Sequence, residues 1–196
     1  MSDIRICFIG DSFVNGTLDP EYLGWTGRIC AAVESPVTAY NLGIRGNTSQ
    51  QIEARWQMEA KLRFPQSCDA RTVFSFGAND ARIEAGAVLA DTETSAACAR
   101  RILERAKTQY PTLMIGAPPV EDRTMNLRIR EISCAYAAVC ADIGVPYLDV
   151  FTPLSESSIW MEEVAIVDGA HPSAAGYQAL ASIVLSWSAW QDWFRS

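Results

Sequence analysis

The stretch Ile4 to Asn15, IRICFIGDSFVN, limits what this chain can fold into more than any other. Ile4, Ile6, Phe8 and Ile9 make a nearly continuous apolar run that stops at Gly10, the pattern of a parallel strand buried on both faces. Gly10 lacks the Cβ that would hinder a sharp change of direction. Ser12 then stands just past the carboxyl end of a strand, where open α/β sheets hold their ligands. Parallel strands need crossover connections, so the rest of the chain has to supply further strands separated by helices.

The chain does so. A loop from Val14 to Pro20 precedes a helix from about Tyr22, with Trp25, Ile29, Ala32 and Val33 on one face and Ser35-Pro36 as its end. Val37 to Leu42 reads as a second strand. Thr48 and Gln51 form a capping box for a helix that carries Ile52, Trp56 and Ala60. Thr72 to Phe76 is a third strand running into the turn Gly77-Ala78-Asn79-Asp80. A helix from about Asp91 to Gln109, a fourth strand over Leu113 to Ala117, and a helix from about Thr124 ending at Gly144 follow. Val145 to Val150 is a fifth strand, and Pro146, which has no N–H to donate, places it at an edge. Phe151 to Val167 reads as irregular, with a short helical turn around Trp160. Ser173 is expected to cap a final helix with Tyr177, Leu180, Val184 and Trp187 on one face. This alternation predicts a three-layer α/β sandwich with a five-stranded parallel sheet in the order 2-1-3-4-5, one domain over residues 1–196.

Composition narrows the function. With 49% hydrophobic residues the chain can fill a single core, and a net charge of −7 argues against nucleic acid as a partner, because the 16 basic residues are scattered. No apolar segment is long enough to span a bilayer. The N-terminus lacks the features of a secretory signal, and six cysteines without a C-x-x-C pair read as reduced core residues, which together favour the cytoplasm. The single histidine, His171, is the one candidate for imidazole chemistry.

In the expected sheet order Ser12, Gly46 and Asn79 follow the carboxyl ends of neighbouring strands, and the loop bearing Asp168 and His171 returns to the same rim. A hydroxyl is a weak nucleophile until an imidazole takes its proton, and a carboxylate fixes the imidazole tautomer. Ser12, His171 and Asp168 are the residue types for that chemistry. The N–H groups of Ser12 and Gly46 and the side-chain amide of Asn79 are candidate donors to a developing oxyanion. No metal or organic cofactor is required. Arg45, Arg82 and Arg123 on rim loops read as solvated charges, and Trp160 with Met161 as packing against the last helix. The loops Phe13 to Leu23, Arg82 to Ala90 and Val120 to Asn126 would shape the pocket.

Gly10-Asp11-Ser12, Asn41-Leu42-Gly43-Ile44-Arg45-Gly46-Asn47-Thr48, Gly77-Ala78-Asn79-Asp80 and Asp168-Gly169-Ala170-His171-Pro172, in this order, resemble the GDSL or SGNH hydrolases. The resemblance implies a flavodoxin-like esterase fold, with Ser12 as nucleophile, Gly46 and Asn79 in the oxyanion hole, and Asp168 and His171 completing the triad. Phe13 stands where the family often has Leu, and Gly43 competes with Gly46 for the glycine position. The family includes lipases, acetylesterases, arylesterases and thioesterases, so the implied reaction is hydrolysis of a small-molecule carboxylic ester, a short-chain acyl ester or a thioester. A competing reading is a non-catalytic flavodoxin-like module that holds an anion or nucleotide at the turn after the first strand. The absence of a Walker A run and of G-x-G-x-x-G weighs against it. Nothing in the pattern selects an oligomeric state.

Overall fold

The computed structural model describes residues 3–195; Met1, Ser2 and Ser196, the ends of the expected 1–196 domain, lie outside the described residues. The N-terminal apolar run forms β1 (Ile4–Gly10), in which Ile6, Cys7, Phe8 and Ile9 are fully buried. It pairs in parallel with β2 (Val37–Gly43) on one side and β3 (Asp69–Ser75) on the other, so that Gly10 lies level with Gly43 and Ser75. After a short hairpin, β4 (Ile83–Glu84) and β5 (Ala87–Val88), the sheet continues with β6 (Thr112–Ile115) and β7 (Tyr147–Leu148). The five-stranded order is β2-β1-β3-β6-β7, every neighbouring pair parallel, which in sheet strands alone is the expected 2-1-3-4-5.

Helices cover both faces. After α1 (Ser12–Asn15), α2 (Gly24–Ala31) packs on α8 (Ala174–Ser186), which also contacts α7 (Ser158–Val167) and α9 (Ser188–Gln191). The other layer is α3 (Ser49–Lys61) against α4 (Thr92–Lys107), and α4 against α5 (Arg123–Ile143). Aromatic pairs join each layer to the sheet. Phe8 meets Trp25 edge to face and approaches Trp190, while Phe74 meets Trp56, and Phe76 meets Tyr136. Each such pair adds roughly 0.5–1.5 kcal/mol beyond the area it buries. The cysteines are free thiols, and burial pushes Cys7, Cys30 and Cys140 up to about 12, so they behave as small apolar side chains.

Four local expectations need correction. Phe151 to Val167 is not irregular: it forms α6 (Phe151–Ser155) and α7, with Phe151, Leu154, Trp160 and Val164 buried. Pro153 and the serines at 155, 157 and 158 mask that helical spacing, yet Ser157 acts as a cap by accepting from the Trp160 N–H at 3.3 Å. The segment after Ser12 starts with a helical turn, and α2 begins at Gly24 because Tyr22, at φ 58°, has left-handed backbone. The fifth strand is only Tyr147–Leu148. The Arg82 to Ala90 loop contains the hairpin, with Ala85 (φ 51°) and Gly86 (φ 84°) at its turn, the signs a two-residue I′ turn requires.

Candidate active site

The turn after β1 is built by close approach. A Cβ on Gly10 would lie 1.9 Å from the Ser75 carbonyl oxygen, so only glycine lets β1 end against β3 here. Asp11 caps α1, its Oδ1 accepting the Phe13 N–H at 3.0 Å. Ser12, the first residue of that helix, presents an N–H with no intrahelical acceptor. Gly43 underlies the same turn, where a Cβ would sit 2.2 Å from Asn15 N.

The second half of the site is the loop between α7 and α8. The Gly169 N–H closes onto Val164 O at 2.8 Å, and the Glu121 N–H donates to Gly169 O at 2.8 Å. Asp168 Oδ1 accepts the N–H groups of Ala170 (2.9 Å) and His171 (2.7 Å), which folds the loop around its own carboxylate. Beyond Pro172 the expected cap is replaced. Ser173 occupies the N-cap position without a side-chain hydrogen bond, and Glu163 of α7 accepts instead from Ser173 N (2.9 Å) and Gly176 N (2.6 Å). A carboxylate at a helix N-terminus is favoured by the exposed N–H groups and the helix dipole.

These constraints bring His171 to Ser12. Nε2 lies 2.7 Å from Ser12 Oγ, and Nδ1 lies 2.8 Å from Asp168 Oδ2. Burial pushes the Asp168 carboxyl up, but the hydrogen bonds from the His171 N–H, the His171 ring and Ala170 outweigh it and hold the group below the usual carboxylate range. An ionised Asp168 accepts the proton on Nδ1, which leaves Nε2 as acceptor for the Ser12 hydroxyl. The Phe13 ring, 5.1 Å from the imidazole between centroids, stacks in turn on Trp160. Trp160 is fully buried, donates to Pro119 O at 3.0 Å and meets Tyr177 of α8, so it packs behind the site rather than lining it.

The structure separates the two candidate glycines, Gly43 at the end of β2 and Gly46 in the loop before α3. The Gly43 N–H is taken by Asn41 Oδ1 at 3.0 Å. Gly46, at φ 78°, has open space where a Cβ would be, and its N–H meets no protein acceptor among the described residues. The next carbonyl, Asn47 O, accepts from Asn79 Nδ2 at 3.1 Å, which ties that loop to the turn after β3. Asn79 Nδ2 also reaches Asp11 Oδ2, at 3.4 Å.

Ser12, Asn79, Asp168 and His171 line one cleft of about 390 Å³, walled by Phe13, Ala78, Val120, Met125 and Ala170, with Arg82, Glu121 and Asp122 at its polar side. Gly46 is not among the residues that line this cleft. Arg45 lines a separate cavity with Asn15 to Pro20 and Tyr22, and Arg123 begins α5. Asp11 and Asp80 stand in the motifs without a role assigned to them, and Glu163 lies outside the motifs altogether. Asp80 joins Ser49 N of α3 (2.8 Å) to Ser95 of α4 and Tyr136 of α5. Among the described residues no group of three or more His, Cys, Asp or Glu side chains could hold a metal ion, and no helix is long and apolar enough to cross a membrane.

The model of the GDSL-like lipase/acylhydrolase family matches residues 8–179, a span that takes in all four loops. The chain belongs to this family. As a GDSL hydrolase it is an ester-hydrolysing enzyme of small-molecule esters. No curated protein sequence matches it. Several solved structures share the GDSL hydrolase fold. A lipolytic G-D-S-L family protein from Veillonella parvula DSM 2008 superposes with a TM-score of 0.78 at 21% identity, over 93% of this chain and 96% of that one. A lipase/acylhydrolase from Enterococcus faecalis gives 0.70 at 23% identity over 93% of both chains. The acetylxylan esterase Axe2 from Geobacillus stearothermophilus gives 0.76 at 18% identity, over 100% of this chain and 98% of that one.

Proposed function

We propose that this GDSL hydrolase is a serine esterase that cleaves short-chain carboxylic esters through an acyl-enzyme on Ser12. The observation that carries the reading is the continuous chain from Ser12 Oγ through both ring nitrogens of His171 to Asp168, at 2.7 and 2.8 Å. Ser12 Oγ attacks the ester carbonyl carbon while His171 Nε2 takes its proton. The tetrahedral intermediate collapses as His171 returns that proton to the departing alcohol. Water, deprotonated by the same nitrogen, then attacks the acyl-Ser12 carbonyl, and the acid leaves with Ser12 regenerated. Asp168 keeps the ring in the productive tautomer and offsets the charge of the imidazolium. The oxyanion accepts from Ser12 N–H, Gly46 N–H and Asn79 Nδ2. Gly46 is preferred to Gly43 for this role because the Gly43 N–H already serves Asn41.

The short acyl group is supported by the cleft, whose volume of about 390 Å³ is near the lower end for ligand sites and is bounded by Phe13 and Met125 beside Ala78, Val120 and Ala170. The structural likeness to an acetylxylan esterase points the same way. The test is a panel of p-nitrophenyl esters from acetyl to lauroyl, run with the native protein and with Ser12→Ala. Acetyl and butyryl esters should turn over fastest, and Ser12→Ala should lower kcat by on the order of 10⁴-fold or more. Unchanged hydrolysis by Ser12→Ala would refute the mechanism.

A further inference from the structure

We infer that Asp11 is a positioning residue for ester hydrolysis: its second carboxylate oxygen holds the Asn79 amide with the N–H side turned toward the oxyanion. The inference rests on the roles proposed above for Ser12 and Asn79.

Asp11 is only 1% exposed, lies between Gly10 and Ser12, and forms no ion pair among the described residues. A buried carboxylate without a cation is costly to keep. Burial pushes its pKa up to about 7, against the relief given by the Phe13 N–H. Capping the four-residue α1 does not require that cost, since Ser or Asn would cap as well without a charge. What only a carboxylate supplies is a second acceptor beside the first. Oδ1 is spent on Phe13 N and Oδ2 faces Asn79 Nδ2.

The neighbouring charges are otherwise engaged. Arg55 of α3 donates to Gly10 O, Leu42 O, Asn47 Oδ1 and Glu59. Asp80 accepts from Ser49 N, Ser95 and Tyr136, and the Tyr177 hydroxyl of α8 donates to Thr17 O at 2.8 Å. Asn79 Nδ2 is therefore set between two acceptors on two different loops, Asp11 Oδ2 and Asn47 O. That pair selects one of the two amide orientations, because the flipped amide would aim its own oxygen at both acceptors and, in the reaction, at the oxyanion. One amide hydrogen stays on Asn47, and the other is shared between Asp11 and the oxygen that develops charge.

An amide at position 11 cannot do this. Asn offers one oxygen and one NH₂ group, so if its oxygen caps Phe13 its NH₂ confronts the NH₂ of Asn79. At pH 8.5, where Asp11 is ionised, Asp11→Asn should lower kcat on p-nitrophenyl acetate about 10- to 100-fold with KM changed by less than about threefold. In an Asn79→Ala background the same substitution should cost less than about twofold, because the group it positions is gone. Asp11→Ser keeps a capping oxygen and lacks the second acceptor, so it should reproduce the loss and serves if Asp11→Asn does not fold. In both variants the side-chain amide ¹⁵N–¹H resonances of Asn79 should shift, a readout independent of turnover. Variants that keep kcat within about twofold of native, or losses that add fully to that of Asn79→Ala, would overturn the inference. A slow Asn79→Ala with a native-like Asp11→Asn removes the Asp11 inference alone; a native-like Asn79→Ala removes the oxyanion role of Asn79 and the inference with it.

Discussion

Replacing Asp11 by Asn should remove a pH-dependent weakness of the fold, with a magnitude that follows from the burial of this side chain. Its carboxyl rises from 3.8 to about 7 in the folded protein, with burial as the main cause and the nearby Asp80 charge adding to it. A carboxyl whose folded value is raised contributes its full stability below the unfolded value and loses it as pH rises toward the folded value. The change between pH 4 and pH 8 should approach roughly 4 kcal/mol, at 1.36 kcal/mol for each pH unit between the two values. Asn cannot ionise and carries no such loss. The assay is urea unfolding followed by tryptophan fluorescence at pH 5, 6, 7 and 8 for both proteins. The difference in unfolding free energy, variant minus native, should move in favour of Asp11→Asn by about 1–4 kcal/mol over this range and level off above pH 7.5. Taking the difference cancels the opposite trend from Asp168, which is held below its usual value and loses its contribution as pH falls. A native-to-variant gap independent of pH from 5 to 8 would refute the reasoning.

Other outcomes follow from the same contacts. Gly43→Ala places a methyl group 2.2 Å from Asn15 N and should cost about 1–3 kcal/mol while slowing ester hydrolysis, whereas Gly46→Ala, which meets open space at φ 78°, should cost only about 1–2 kcal/mol; thermal melts beside kcat distinguish the two. Glu163→Ala leaves Ser173 N and Gly176 N without their acceptor and should lower stability by about 1–2 kcal/mol, a fall in Tm of roughly 2–8 °C, with slower turnover because the same cap anchors the His171 loop. Asp168→Asn should lower kcat on the order of 10⁴-fold by favouring the wrong His171 tautomer, with little change in KM.

The sheet was legible because its signal is local. A buried parallel strand is an apolar run closed by glycine or a turn, and Ile4–Gly10 and Thr72–Phe76 both read that way; β3 in fact starts earlier, at Asp69, because Asp69 and Arg71 pair in the sheet although they interrupt the apolar run. The meeting of Ser12 and His171 follows from topology, since both loops open on the carboxyl side of the sheet. Helices α6 and α7 were hidden because their apolar positions are interrupted by Pro153 and by serines that turn out to be caps or surface residues. The hairpin at Ile83–Val88 was hidden because Ala85 occupies a left-handed position that usually signals itself with Asn or Gly. The supporting polar residues were illegible for a different reason. Asp11, Asp80 and Glu163 act across 68, 31 and 10 residues respectively, and no local spacing encodes which backbone N–H or amide a carboxylate will meet.

Ester hydrolysis by this chain depends on a nucleophilic Ser12, and covalent trapping reads that directly. Treatment with a fluorophosphonate, followed by mass spectrometry of tryptic peptides, should yield one adduct, on Ser12, with ester hydrolysis lost in step with labelling and with no labelling of Ser12→Ala. Full hydrolytic activity in protein whose Ser12 stays unmodified, or an adduct that forms equally well on Ser12→Ala, would contradict it.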